Sequence, residues 1–279
     1  MLNADLHCHS FVSDGQLSPE ELAARAKANG VDLWALTDHD EVGGVAQARL
    51  AANAVGLPFV GGVEISITWA GKTVHIVGLQ IDEKNEALID GLAETRNGRE
   101  RRARYMAAQL AAAGIEGAYE GALKFVGNPD LISRTHFARY LVEAGVCPNV
   151  QTVFRNYLIE GKPGYVPHRW ATFEEAVHWI RGAGGVAVVA HPGRYPFDEI
   201  SMNAMLDTFK DLGGIAIEVT TGSHTPDQYA EYARVARRYG FLASRGSDFH
   251  GPGESRADLG TLPPLPDSVT PIWQEWALA

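Results

Sequence analysis

Cysteine is scarce, with only Cys8 and Cys147 in 279 residues. Two cysteines cannot build a disulfide framework, which excludes the small stapled scaffolds and suits a reducing, cytoplasmic setting. Cys8 is expected to be a small buried side chain. Long apolar runs are also missing: no stretch of 18 or more occurs, so no membrane helix is expected. The first residues have neither a basic nor an apolar leader region, so a cleaved signal is not expected. Positive charge is in deficit. Lysine and arginine number 24 against 34 acidic residues, a net charge of −10, which argues against a stable nucleic-acid partner. Internal repeats and low-complexity tracts are absent.

What the chain does have is an alternation of short apolar strands and helices, in a composition that is 46% hydrophobic. The first strand reads as Leu2 to Ser10. A capped helix starts at Ser18-Pro19-Glu20-Glu21 and stops at Asn29-Gly30. Strands at 31–37 and 57–63 flank a small-residue helix at 44–55, and a hairpin turns at Ala70-Gly71 between 65–69 and 72–79. After residue 82 the rhythm changes. Residues 83–165 read as helical, at 85–114, 133–144 and 150–160, with 11 cationic and 10 acidic residues. The rest of the chain holds 13 against 24. From 166 onward the alternation resumes, with helices at 172–182, 202–212 and 226–239 and strands at 186–190, 215–219 and 241–245. The expected organisation is therefore an α/β domain, residues 1–82 and 166–279, carrying a helical insertion at 83–165.

The chemistry sits at the strand ends. His7 and His9 alternate with Cys8 and so share one face of the first strand. His39 follows the second strand, Glu64 ends the third, His75 lies in the hairpin, His191 follows the next strand, and Asp248 and His250 follow the last. Asp14 lies in the turn after the first strand. A single histidine at a strand end is usually a hydrogen-bonded rim residue. Several together with carboxylates, where parallel strands gather their ligands, point to a metal site. Nine such donors exceed the needs of one ion and suit two or three. Mixed imidazole and carboxylate ligands favour Mn²⁺, Zn²⁺ or Fe²⁺ over Ca²⁺. A cluster of that kind lowers the pKa of a shared water and clamps the oxygens of a phosphoryl group. Glu218 reads equally well as a partner to these ligands or as a plain strand-end acid.

Four segments in order, Asp5-Leu6-His7-Cys8-His9-Ser10, Thr37-Asp38-His39-Asp40, Ala190-His191-Pro192 and Gly246-Ser247-Asp248-Phe249-His250, resemble the polymerase and histidinol phosphatase (PHP) family. The resemblance implies a distorted (β/α)₇ barrel with a helical cap and a trinuclear centre. It assigns His7, His9, Glu64 and Asp248 to a first ion, Glu64, His75 and His191 to a second, and Asp14, His39 and His250 to a third. Manganese is the leading expectation, with zinc, iron or magnesium as alternatives.

The insertion contains Arg99-x-x-Arg102, Ser133-Arg134-Thr135-His136 and Gly161-Lys162-Pro163-Gly164. It resembles the cap of stand-alone members that act on nucleotides, as 3′,5′-nucleoside bisphosphate phosphatases or trimmers of short RNA 5′ ends. Arg99 and Arg102 are three apart and share a helix face, so both can reach one phosphate. Arg134 and His136 open a helix, and Lys162 lies in a glycine turn. These five are the expected substrate contacts, for a small phosphate ester or a short oligonucleotide. No serine or cysteine nucleophile motif is present, so direct hydrolysis is expected. Three rivals remain. A histidinol phosphate phosphatase would share the metal site. A non-catalytic PHP module would be expected to have lost ligands. An amidohydrolase would usually carry a bridging lysine at a strand end, and none of the strand ends has one.

Overall fold

The computed structural model describes residues 2–276. Seven strands, β1 Ala4–Asp5, β2 Leu33–Leu36, β3 Phe59–Trp69, β4 Lys72–Leu79, β5 Val186–Val189, β6 Ala216–Thr221 and β7 Leu242–Gly246, lie side by side in sequence order. The sheet curls until its ends meet. Leu6 N–H donates to Arg245 O at 2.9 Å, and Asp248 N–H donates to His7 O at 2.8 Å. Every pairing is parallel except those of β4, which is antiparallel to both β3 and β5. That reversed strand distorts an otherwise regular (β/α)₇ barrel.

Helices α1 Pro19–Ala28 and α2 Val45–Ala54 follow the first two strands. Next come α3 Glu86–Arg96, α4 Arg99–Ala112, α5 Ala118–Leu123, α6 Arg134–Glu143 and α7 Val150–Val153, all within the expected insertion. The barrel resumes with α8 Phe173–Gly182, α9 Glu199–Asp211 and α10 Pro226–Tyr239. Capping boxes at Ser18, Thr172 and Thr225 set three barrel helices, each pairing an N-cap hydroxyl with a Glu or Gln three residues on.

Several expected boundaries shift. The first strand is regular only over Ala4–Asp5. Beyond it the chain stays extended and its pairing with the last strand continues as single bonds, because that strand ends at Gly246 and Asp248 turns left-handed at φ 55°. The strands expected at 57–63 and 65–69 are one strand, β3. It pairs with β2 as far as Gly61 and with β4 from Gly62 on, where Glu64 lies opposite Val77, so the glutamate sits mid-strand rather than at its end. The single helix expected at 85–114 breaks at Asn97-Gly98, where Gly98 adopts φ 93°. The helix expected at 150–160 is α-helical only to Val153 and continues as a π turn, Phe154–Leu158. Helix α9 starts three residues earlier than expected, capped by Asp198. Helix α5 and a 3₁₀ turn at Pro129–Leu131 have no counterpart among the expected elements.

Packing divides the molecule. Ile65, Ile76, Val188, Ile217 and Phe209 belong to one large barrel core, while Met106, Leu110, Phe137, Leu141 and Leu158 form a separate core inside the helical stretch. Helix α3 does not join the latter. Its Leu88 and Leu92 pack into the barrel core, and its Gly91 has no room for a Cβ beside Trp179.

Candidate metal centre

Each histidine and carboxylate of the centre reaches it for a local reason. His7 and His9 extend from β1 on one face, and Cys8 points the other way, where Trp34 Nε1–H donates to its sulfur at 3.1 Å. Gly246 lets β7 come this close, since a Cβ there would sit 2.3 Å from that of His7. Glu64 lies midway along β3, and His75 lies opposite Ser66 on β4. Because β4 runs backwards, its N-terminal half comes to the end of the barrel where the other strands finish. Asp40, His191 and Asp248 hold left-handed backbones at φ 50°, 28° and 55°. Such conformations cost on the order of 1–3 kcal/mol each and persist where surrounding structure fixes them.

All nine residues come together. His7 Nε2 and His9 Nε2 are 3.2 Å apart, each is 3.3 Å from Glu64 Oε2, and they lie 3.6 and 3.3 Å from Asp248 Oδ1. Four donors placed tetrahedrally at about 2.0–2.2 Å from one ion would lie roughly 3.3–3.6 Å apart. Around Glu64 Oε1, His75 Nδ1 lies at 2.9 Å and His191 Nε2 at 3.0 Å. Asp14 Oδ1 faces His250 Nε2 at 3.4 Å and His39 Nε2 at 3.8 Å, while His39 Nδ1 is 2.9 Å from Glu64 Oε2. His39 and His9 thus each face two of the donor groups, which the sequence did not suggest.

The donors fit a cation better than they fit one another. His39 Nδ1 and His75 Nδ1 approach Glu64 to hydrogen-bond distance, yet neither makes a hydrogen bond, and Glu64 Oε2 and Asp14 Oδ1 are buried without partners. Buried polar atoms left open in this way need an explanation, and a shared ion supplies one. Charge points the same way. Burial alone would raise the Glu64 carboxyl, but His75, His39 and His7 hold it well below the usual range. Burial would lower His7, but Glu218, Glu64 and Asp248 lift it well above its ordinary value. His39, against the same burial, is raised to about 9 by Glu64 and Asp14. Three buried carboxylates demand positive charge, and protonated imidazoles or metal ions can provide it.

A second layer holds the donors in place. Glu218 accepts from His7 Nδ1 at 2.8 Å and from His191 N–H at 2.6 Å, so it orients two of them. Asp38 accepts from Ser10 N–H at 2.8 Å, from Ser10 Oγ–H at 2.7 Å and from Ser13 Oγ–H at 2.6 Å, bracing the loop that carries Asp14. The Tyr195 hydroxyl donates to Ala190 O and accepts from His75 N–H, both at 2.9 Å. Arg139 of α6 donates to Asp14 O at 2.7 Å and pairs with Glu254 at 2.8 and 2.9 Å. Arg194 Nη1 reaches Asp248 Oδ2 at 3.1 Å. The sequence alone assigns a role to none of Asp38, Tyr195, Arg139 and Arg194. For Asp38 the adjacency to His39 is a usable signal; for the other three only the fold reveals the contact.

Of the expected substrate contacts, four form a buried or half-buried group over the centre and one does not. Arg99 pairs with the buried Asp40, and its guanidinium lies 4.6 Å over the Trp170 ring. Arg102 lies 5.4 Å over the same ring and donates to Val166 O at 2.9 Å. Burial, then Arg134 and Arg99, push Arg102 down from its ordinary value. Arg134 is pushed down by burial, Arg194 and Arg99. His136 accepts from Ser133 N–H through Nδ1 at 3.0 Å, leaving Nε2 buried without a partner, and burial lowers it to about 4. Lys162 is exposed and shares none of these contacts. His168, which carries no signal in the sequence, has a partnerless buried Nε2 and is lowered to about 4 by burial, Arg102 and Arg99.

A 3′,5′-nucleoside bisphosphate phosphatase from Chromobacterium violaceum is 52% identical over 99% of this chain and 96% of its own. The 5′-3′ exoribonuclease Rnm of Salmonella typhimurium is 41% identical over 98% and 93%. A solved structure from Chromobacterium violaceum, described as an amidohydrolase with bound sulfate and no metal, superposes with a TM-score of 0.95 at 52% identity, covering 98% of this chain and 95% of that one. The PHP domain family model matches residues 5–178, and with relatives this similar along nearly its whole length the chain belongs to the PHP family.

Proposed function

We propose that this phosphoesterase is a metal-dependent enzyme that removes the 3′-phosphate of a nucleoside 3′,5′-bisphosphate. The observation that carries the reading is the spacing of His7, His9, Glu64 and Asp248, whose donor atoms stand as the ligands of one ion would. His75 and His191, with Glu64 shared, would hold a second ion, and Asp14, His39 and His250 a third. Manganese suits this donor set, with zinc, iron or magnesium as alternatives. When bound, such ions supply Lewis acidity and a water of lowered pKa.

The residues of the chain do the rest. Glu218 fixes the ring orientation of His7, and Asp38 braces the Asp14 loop. In the cap, Arg102 and Arg134 have no acidic partner within 4 Å among the described residues, so their guanidiniums are available to a phosphate. Arg99, held by Asp40, shapes that site together with Trp170, and His136 offers it a free Nε2. A ligand carrying two phosphates satisfies both halves. A reducing, cytoplasmic setting suits the two unpaired, buried cysteines.

Phosphate release with added Mn²⁺ tests the reading. Charge-assisted hydrogen bonds are worth about 1.5–3 kcal/mol each, so a 3′,5′-bisphosphate should exceed a 5′-monophosphate and histidinol phosphate by about a hundredfold in kcat/KM. Arg134→Ala should erase most of that preference and spare slow hydrolysis of a generic ester. Histidinol phosphate as the better substrate would refute the bisphosphate assignment.

A further inference from the structure

One buried histidine of the barrel lies outside the donor cluster. His224 sits between β6 and α10, with 6% of its surface exposed. Its ring stacks on Tyr232, with centroids 4.8 Å apart and planes inclined by 23°. Both ring nitrogens are engaged: Nδ1 lies 3.1 Å from Val219 O, and Nε2 lies 2.9 Å from Gly193 N. A carbonyl can only accept and an amide N–H can only donate, so the ring proton belongs on Nδ1 and the lone pair on Nε2. Burial lowers the ring to about 4, which keeps it neutral at ordinary pH.

The amide that His224 grips belongs to the turn carrying His191. That histidine has a left-handed backbone, φ 28° and ψ 57°, a conformation that persists in a non-glycine residue only where neighbours fix it. Pro192 follows with its φ locked by the ring, so the Gly193 peptide moves as the His191 backbone moves. Gly193 is held from both sides, its N–H by His224 and its C=O by Gln228 Nε2 at 3.1 Å. The fit leaves no room for a side chain, since a Cβ on Gly193 would lie 2.6 Å from Gln228 Nε2 and 2.9 Å from His224 Cδ2. His191 N–H is fixed separately, by Glu218 at 2.6 Å. Arg194, next along the turn, reaches Asp248 Oδ2 at 3.1 Å.

We propose that His224 is a positioning residue: by accepting from Gly193 N–H it holds the His191 turn, and so keeps His191 Nε2 on Glu64 and Arg194 on Asp248. The inference rests on reading Glu64 and His191 as ligands of one ion. Glu218 and His224 then work as a pair from the same end of β6, one bonding the amide of His191 and the other the amide two residues on. Without the second hold, Gly193 N–H loses its acceptor, and the turn relaxes towards an ordinary backbone that takes the His191 ring off Glu64.

Two substitutions separate the two bonds of the ring. In His224→Gln, Oε1 falls where Nε2 was, so an acceptor for Gly193 remains. In His224→Asn the side-chain amide reaches only as far as Nδ1, so the bond to Val219 can form and the bond to Gly193 cannot. In competition for Mn²⁺ with a chelator, His224→Asn should weaken one equivalent about tenfold and leave the others within about twofold. His224→Gln should stay within about threefold of wild type for every equivalent. Equal losses in the two variants, or wild-type affinity in His224→Asn, would overturn the assignment. Nitrogen-15 NMR of the zinc-loaded wild type gives a reading that does not need His224→Asn to fold. With His224→Gln used to identify the signal, His224 should be the Nδ1–H tautomer, and the Nε2–H tautomer would overturn the proposal. A wild type that takes up fewer than two equivalents of metal would instead refute the reading of the centre itself.

Discussion

The barrel and the cap hold buried charge in opposite ways. In the barrel, Glu64, Asp14 and Asp248 each lie within 4 Å of two or more imidazoles, and their surplus is negative. In the cap, Arg102 and Arg134 neighbour other arginines and have no close acid among the described residues, so the surplus is positive. Each region lacks the charge that a different ligand would bring: metal ions for the barrel, a phosphate for the cap. Contacts between the two regions, among them Arg99 with Asp40 and Ser133 Oγ with Asp14 Oδ2 at 3.2 Å, keep the deficits side by side without cancelling them.

The largest effect should come from Glu64, which faces five imidazoles. Glu64→Gln should lower turnover by more than about a hundredfold and remove more than one equivalent of metal, read by elemental analysis after mild loading. Asp14→Ala should remove less. A Glu64→Gln protein with full metal content would break the barrel half of the comparison.

Excision of the cap comes next. Replacing residues 99–165 with a short linker should leave a folded, metal-binding barrel that no longer discriminates between mono- and bisphosphates. Removing 83–165 should be worse, because Leu88 and Leu92 leave the barrel core, at about 2–5 kcal/mol for each large side chain removed. Urea unfolding of the two deletions measures the difference, and equal stability would return α3 to the cap.

A smaller loss is expected for Glu218→Gln, which keeps the shape but weakens the acceptor for His7 Nδ1 and His191 N–H. About ten- to a hundredfold in metal affinity should go, by competition with a chelator, with little change in substrate preference. A change in preference instead would couple the two regions more tightly than their charges imply.

The smallest effect concerns acid. His168 is lowered to about 4, below the ordinary 6.5, so the folded protein binds fewer protons than the unfolded chain between those values. Its contribution to stability is complete above pH 6.5 and is lost as pH falls towards 4. Unfolding midpoints at pH 7 and pH 5 should therefore converge slightly in His168→Gln; unchanged separation would mean that burial and the cap arginines do not hold His168 below its ordinary value.

The two regions are also unequally legible. The barrel donors can be read because each lies on or beside a short apolar strand, and strand ends converge in such folds whatever lies between them. Even there, Glu64 reads as a strand terminus, since a buried carboxylate interrupts an apolar run; the continuous β3 exists because Glu64 turns towards a cluster of imidazoles. Within the cap, helical periodicity shows which residues share a face, not which neighbour covers that face. Arg99 is engaged by Asp40, whose partner cannot be known from spacing, and Arg139 braces Asp14 from a position that reads as ordinary helix. Lys162, in a glycine turn, stands exposed. The break at Gly98 is written in the sequence, but the π turn at Phe154 carries no signal.

The barrel is closed by its first and last strands, with Leu6 bonded to Arg245 and His7 to Asp248. During synthesis, therefore, His7 and His9 leave the ribosome some 240 residues before the carboxylate and imidazole that complete their site. Until then the group of His7, His9 and Glu64 lacks Asp248, and the group of Asp14 and His39 lacks His250. The two outer donor groups are thus completed only by the last strand to form, when it pairs with the first.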